Sequence, residues 1–143
     1  MPDAPSPDTL REWADAPDPA VRRKAAAAAN APAALLETLA LDDDAEVQNA
    51  VARNANTPLD VVLRLAEDHP EAVLANPARE TWGAVRPGFL GDLPASTLVA
   101  FLGCTNAPEE WITWAAQKND VLQTAVYMGE TEVVQVLLGA GAD

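Results

Sequence analysis

Apolar residues recur in the first half of the chain at the spacing of a single helix face. In DAEVQNAVARN, Val47, Ala50 and Val51 stand at i, i+3 and i+4, a spacing that places side chains along one stripe of an α-helix. The segment TPLDVVLRLA follows after two residues and carries a second stripe, formed by Val61, Val62, Leu65 and Ala66. The pattern predicts two short amphipathic helices in succession.

Polar residues at the edges of these stripes predict where each helix begins and ends. Asp44 precedes the first stripe, where its carboxylate can accept hydrogen bonds from free backbone N–H groups. Asn54 follows the last apolar position, and we expect it to end the helix in the left-handed conformation. Thr57 is the expected N-cap of the second helix, with Pro58 at the first helical position, where proline lacks only an unused N–H.

The sequence pattern of this helix pair recurs along the chain. At a shift of 26 residues, Trp13 aligns with Leu39 and Leu65, Val21 with Val47, Asn30 with Asn56, and Pro32 with Pro58. The segment SPDTLREWA matches only the second helix of a pair, and HPEAVLANPA matches the first helix at a shift near 22. A repeat with a period of about 26 residues therefore extends to about residue 80.

The repeat breaks in TWGAVRPGFLGD, residues 81–92, which contains three glycines and one proline. We predict three regions: helical repeats over 1–80, an irregular junction over 81–92, and divergent helical repeats over 93–143 that continue the first region. The third region includes NAPEEWITWAA, with a further Asn-x-Pro at Asn106.

Composition supports many short helices in a soluble chain. The 143 residues include 30 alanines and 12 prolines, a combination that favours closely packed helices with frequent breaks. The formal net charge is −13, which argues against nucleic-acid and anionic-membrane partners and permits a basic protein partner. Neither a signal peptide nor a membrane-spanning run is present, so we expect a cytoplasmic protein.

Residues of about 6–78 resemble the leucine-rich repeat variant family, whose units read Asp-Pro-x-x-Val-Arg followed by Thr-Pro-x-x-Val-Leu. The segments DPAVRRKAAAAAN and AEVQNAVARNANTPLDVVLRLA follow this pattern closely, without matching every position. The resemblance implies an all-α, right-handed α-solenoid of helix pairs, alternating α-helices with short or 3₁₀ helices. Some members hold an iron–sulfur cluster in a cysteine-rich segment. Because Cys104 is the only cysteine here, no cofactor is expected.

Residues of about 120–143 are similar to an ankyrin helix pair. In VLQTAVYMGETEVVQVLLGAGAD, the residues that match its second helix are Val133, Val134, Leu137 and Leu138. The Thr-Pro-Leu-His opening of an ankyrin repeat is missing, so a degenerate ankyrin unit and a divergent solenoid unit are both consistent with this segment.

Residue types that carry chemistry are sparse. His69 is the single histidine, which excludes metal sites built from several histidines. Cys104 ends an apolar helix, where a small buried thiol is the ordinary finding. The acidic run LDDDAE at 41–46 lacks the glycine and ligand spacing of a calcium loop, and it coincides with a helix start. We therefore predict no catalytic, metal or cofactor site.

We predict a non-catalytic repeat scaffold that binds another protein, and the acidic charge permits a basic surface on that partner. Trp111 and Trp114 are spaced i, i+3 in EEWITWAA, and tryptophan is enriched at binding hot spots, although both rings could instead fill the core. The candidate partner-binding residues are Trp82, Trp111, Trp114, Arg53 and Arg64. Arg22 and Arg23 are expected to face solvent with Arg53 and Arg64, and local pairing with Glu or Asp is the simplest account of all four.

Two other functions are weighed. One is a small acidic regulatory or immunity-type protein that binds and blocks a specific target. The other is an enzyme built around Cys104.

Overall fold

The computed structural model describes residues 5–105 and 107–141. Within them, every regular element is helical: eleven α-helices and two short 3₁₀ turns, with no strand. The all-α prediction is confirmed. None of the described helices combines the length and the apolar character needed to cross a membrane. Asn106 and its predicted Asn-x-Pro helix start lie partly outside the described residues.

The chain divides into two compact units, Met1–Thr81 and Trp82–Asp143. The helices of the first unit are α1 (Pro7–Ala14), α2 (Pro19–Ala27), α3 (Ala33–Leu39), α4 (Ala45–Arg53), α5 (Leu59–Leu65) and α6 (Pro70–Leu74). The helices of the second are α7 (Trp82–Val85), α8 (Ala95–Leu102), α9 (Glu109–Ala116), α10 (Asn119–Met128) and α11 (Thr131–Gly139). The 3₁₀ turns span Arg79–Thr81 and Phe89–Asp92.

Side-chain caps fix the starts of three helices in the first unit. The Asp44 carboxylate accepts hydrogen bonds from the N–H groups of Glu46 and Val47, which confirms its predicted role. Ser6 caps α1 and Asp18 caps α2 in the same way. Each cap satisfies backbone donors that have no partner within the helix.

Two predictions about how helices end and begin are wrong: the conformation of Asn54 and the capping role of Thr57. Asn54 is extended rather than left-handed, with φ −82° and ψ 124°, because its side chain binds carbonyls 26 and 28 residues upstream. Thr57 does not cap α5: the N-cap is Pro58, while the Thr57 hydroxyl donates to the carbonyl of Val51 at 2.7 Å. The Thr57 bond joins the second helix to the end of the first.

Alanine, valine and leucine side chains form the core of the first unit. Helix α2 packs against α4, and α4 packs in turn against α6. Val47, Val51 and Ala52 of α4 are buried, as is the predicted α5 stripe, Val61, Val62, Leu65 and Ala66. Alanine at such positions allows helix axes to approach closely, since little side-chain volume separates the two backbones.

The second unit packs α8, α9, α10 and α11 around an aliphatic core that includes Val99, Ala115, Val121, Val133 and Leu137. Between α10 and α11 the chain turns at Gly129, whose φ of +74° is left-handed. Glycine adopts this conformation without the steric cost that other residues meet.

Candidate interaction surfaces

Two buried asparagines join the first helices of successive copies. Asn54 donates its side-chain amide hydrogens to the carbonyls of Ala26 and Ala28 at the end of α2. Asn76 makes the same pair of bonds to the carbonyls of Ala52 and Asn54 at the end of α4. These carbonyls belong to the last turn of a helix and its exit, where no intrahelical N–H is available.

The oxygen of each asparagine amide closes a local turn. Oδ1 of Asn54 accepts from the N–H of Asn56, and Oδ1 of Asn76 accepts from the N–H of Ala78. Each side chain therefore fixes the chain after its own helix while holding the end of the preceding one. It was not predicted from the sequence that Asn54 and Asn76 bind the preceding helix. The recurrence of asparagine at the two positions could have indicated it.

The asparagines of the Asn-x-Pro motif also reach back to earlier carbonyls. Asn56 donates to the carbonyls of Ala29 and Ala31, and Asn30 donates to that of Pro5. The motif is thus a connection between copies as well as a joint between two helices.

Arg22 is half-buried and paired with Asp42, so the prediction that it faces solvent is wrong. Its Nε and Nη2 donate to the two carboxylate oxygens at 2.7 and 3.2 Å, and its Nη1 donates to the carbonyls of Ala16 and Pro17. The arginine fork fits this bidentate arrangement, which explains why the side chain folds inward.

The pair shifts the pKa values of both groups. Burial opposes ionisation of Asp42, but hydrogen bonds from Arg22 and from the N–H of Asp44 outweigh it, so the pKa of this carboxyl lies below its usual range. The hydrogen bond to Asp42 raises the pKa of Arg22. Both groups are therefore held in their charged forms.

The acidic run at 41–46 is occupied by structural bonds. Asp42 binds Arg22 and Asp44 caps α4, while Gln48 donates to the carbonyl of Asp42 and lies 3.0 Å from Nε2 of His69. Among residues 5–105 and 107–141, no group of three or more His, Cys, Asp and Glu side chains is placed to hold a metal ion.

Cys104, on which the enzyme alternative depends, lies in the second unit. The thiol is half-buried, and Sγ donates to the carbonyl of Ala100, four residues earlier, at 3.4 Å. This bond is an ordinary local contact at the end of α8.

The three candidate tryptophans occupy different environments. Trp82 and Trp111 are buried and belong to an edge-to-face aromatic cluster in which Phe89 contacts both indoles and Phe101 contacts Trp111. Centroid separations of 5.3–6.1 Å are typical of stabilising aromatic pairs. Trp114 is half-buried, and the Lys118 ammonium lies 5.0 Å from its ring. Of the three, Trp114 alone offers part of its ring to a partner.

A shallow groove of about 330 Å³ runs between α2 and α4. Its lining residues are Arg23, Lys24, Ala27, Glu46, Asn49, Ala50, Arg53 and Asn54. Within the groove, Nη1 of Arg23 lies 3.8 Å from Glu46, and Nε of Arg53 donates to Asn49 at 3.0 Å. Arg64, by contrast, is an exposed residue of α5 that does not line the groove.

The groove differs from the rest of the molecule in charge. Three of the nine Lys and Arg residues of the chain line it, against one carboxylate, Glu46. Ala27 and Ala50 line it with small methyl side chains. A local excess of two positive charges thus lies on a chain of net charge −13.

The residues that line this groove differ between the aligned copies. At a shift of 26, Arg23 stands opposite Asn49, and Ala27 stands opposite Arg53. The buried positions of the same helices remain small and apolar, as at Ala26 and Ala52. The core is therefore repeated, whereas the groove-lining residues are particular to each copy.

Comparison with known proteins identifies no relative: no family model, curated protein or solved structure matches the chain.

Proposed function

We propose that this protein is a non-catalytic helical-repeat scaffold that binds another protein through the groove between α2 and α4. The observation that carries the proposal is the local positive charge of the groove on an acidic chain. Successive helix pairs at a period of about 26 residues support a right-handed solenoid of the leucine-rich repeat variant type. Such folds present extended surfaces on a continuous core.

The partner segment proposed for the groove is acidic. Arg23 and Arg53 provide planar guanidinium groups that can bind a carboxylate through two parallel hydrogen bonds. The small side chains of Ala27 and Ala50 leave room for a peptide backbone between the two arginines. Because charges farther away than about 8 Å are largely screened at physiological ionic strength, the local cations outweigh the net negative charge once a ligand is seated.

The bonds between copies support a rigid groove. Asn54 lines the groove at its end and is itself fixed by the carbonyls of Ala26 and Ala28. Helices α2 and α4 are therefore held at a constant separation. A preformed surface lowers the entropy cost of binding.

The experiment measures binding of a fluorescein-labelled Glu/Ala peptide of about eight residues, which spans roughly 26 Å when extended. We expect saturable binding that weakens about five- to thirtyfold in Arg23→Gln/Arg53→Gln, since two exposed charge contacts contribute about 1–2 kcal/mol together. The matched control, Arg11→Gln/Arg64→Gln, removes the same charge from exposed residues outside the groove and should leave binding within about twofold.

Equal weakening by both double variants would refute a specific groove, because net charge alone would then set the affinity. A Gln/Ala peptide that binds as tightly as the Glu/Ala peptide would also contradict the proposal. Circular dichroism of each variant establishes that the helices are retained.

The alternative is an acidic protein that blocks a basic target, which the net charge of −13 supports. Neutralising Asp42, Asp43 and Asp44 together is an unsuitable test, because Asp42 and Asp44 hold structural bonds. Of these three aspartates, Asp43 alone is exposed. Asp43→Asn therefore separates a contact with a target from an effect on the fold.

A further inference from the structure

We propose that the hairpin of α10 and α11 is a second interaction surface and that it binds a basic amphipathic helix of another protein. Within the described part of the chain, seven large hydrophobic side chains are exposed, and five of them lie on this hairpin. They are Val126, Tyr127, Met128, Val136 and Leu138. Single exposed apolar residues are common, but their concentration in one supersecondary unit marks an interaction surface.

The exposed residues are not the ones that pack the hairpin against the rest of the second unit. Val121 and Ala125 bury one face of α10, while Val133 and Leu137 do the same for α11. Val126 is nevertheless 60% exposed and Tyr127 is 93% exposed. One stripe of each helix therefore packs into the core of the second unit. Other apolar side chains of the same helices remain exposed to solvent.

Helical spacing aligns two of the five exposed residues, Val126 and Leu138, with half-buried apolar residues. Leu122 and Val126 are four residues apart on α10, as are Val134 and Leu138 on α11, so each pair lies on one side of its helix. Leu122 and Val134 are half-buried, while Leu138 is 51% exposed. Each helix therefore carries an apolar strip that passes from the core edge into solvent.

The charge of the hairpin identifies the kind of partner. Residues 119–141 contain Asp120, Glu130 and Glu132 and no lysine or arginine. A second copy of this chain would place these carboxylates against one another at an interface, which is unfavourable. A nucleic acid or an anionic lipid surface would be repelled for the same reason. A helix with one apolar face and flanking Lys or Arg residues matches both the apolar strips and the acidic residues.

This surface is distinct from the groove between α2 and α4. The groove offers cations and little apolar side-chain volume, whereas the hairpin offers aliphatic side chains, one tyrosine and carboxylates. The two therefore select segments of opposite charge, and each proposal can fail without the other.

The test uses the full chain and a labelled amphipathic Leu/Lys peptide of about 18 residues, which makes five helical turns. We expect binding that weakens at least about tenfold in Val126→Ser/Leu138→Ser, because both substitutions remove apolar contact area. The matched control is Leu41→Ser/Val85→Ser, at residues 76% and 71% exposed outside the hairpin. It should bind within about twofold of the original protein.

Two further peptides test the apolar and the charged contributions to binding separately. A Ser/Lys peptide of the same charge and a Leu/Glu peptide of the same hydrophobicity should each bind at least about tenfold more weakly than the Leu/Lys peptide. If either binds as tightly as Leu/Lys, charge alone or hydrophobicity alone is sufficient and the proposal is wrong.

Sedimentation equilibrium tests a second copy as the occupant. A dimer that Val126→Ser/Leu138→Ser dissociates would overturn the proposal in favour of self-association. Binding of the Glu/Ala peptide in the same variant should be unchanged, so that loss of the hairpin surface is distinguished from failure of the groove.

Discussion

Asn76 donates a side-chain hydrogen bond to the carbonyl of Asn54 at 3.0 Å, and Asn54 donates in the same way to Ala28 at 2.9 Å. Each asparagine lies at the exit of one first helix and reaches the exit of the preceding one. The spacing between copies is therefore set by hydrogen bonds as well as by apolar packing. The Asn76 bond is buried and the Asn54 bond is partly buried, so water cannot replace them at no cost.

Asn76→Ala is predicted to lower the free energy of unfolding by about 1–3 kcal/mol. The buried carbonyl of Ala52 loses its donor, and that of Asn54 keeps only the N–H of Thr57. Urea denaturation followed by circular dichroism measures the change. Asn56→Ala is the control, since Asn56 is exposed and water can replace its bonds. We expect a loss below about 1 kcal/mol there. Equal losses in the two variants would show that burial of the Asn76 bonds is unimportant.

Asp42 gives a pH-dependent contribution to stability. Its pKa is lowered in the folded protein, so its stabilising effect is fully present above the unfolded value of about 3.9. The effect is lost as pH falls through the lower, folded pKa. We therefore predict that Asp42→Asn reduces stability at pH 7 and that the difference from the original protein narrows in acid. Thermal unfolding at a series of pH values measures it, with exposed Asp43→Asn as the control.

The positions of the helices in the first unit could be predicted from the sequence, because apolar spacing and local caps decide them. Asp44 shows this clearly, since the N–H groups that its carboxylate accepts from lie within three residues. The conformation of Asn54 could not be predicted in this way. Its partners lie 26 and 28 residues upstream, and a local helix-ending role was the simpler interpretation of the same residue.

The candidate surfaces depend on packing that spacing alone does not determine. Trp111 and Trp114 are three residues apart, which separates their directions by about 60° around a helix. That difference is enough to bury one indole among Phe89 and Phe101 and leave the other half-buried. The groove likewise requires α2 and α4 to lie side by side, although aligning the copies at 26 residues already shows where they differ.

Gly129 is predicted to tolerate substitution poorly because its backbone is left-handed. Gly129→Ala should destabilise the protein by about 1 kcal/mol, the approximate cost of that conformation for a residue with a Cβ. Gly139 belongs to α11, and a methyl group added at its Cα would meet open space. Gly139→Ala should therefore be neutral or stabilising by up to about 1 kcal/mol. Thermal denaturation of the two variants side by side measures this contrast, and a reversed order would refute it.

Trp111 and Trp114 should differ in what they contribute to stability. Trp111→Ala removes a buried indole from contact with Phe89 and Phe101, and we expect a loss of about 3–5 kcal/mol. Trp114→Ala removes a ring that is half in solvent and should cost less than about half as much. Urea denaturation of the single variants distinguishes the two. Equal losses would show that Trp114 is as deeply involved in the core as Trp111, and only a clear difference would make Trp114→Ala a suitable variant for testing a partner contact.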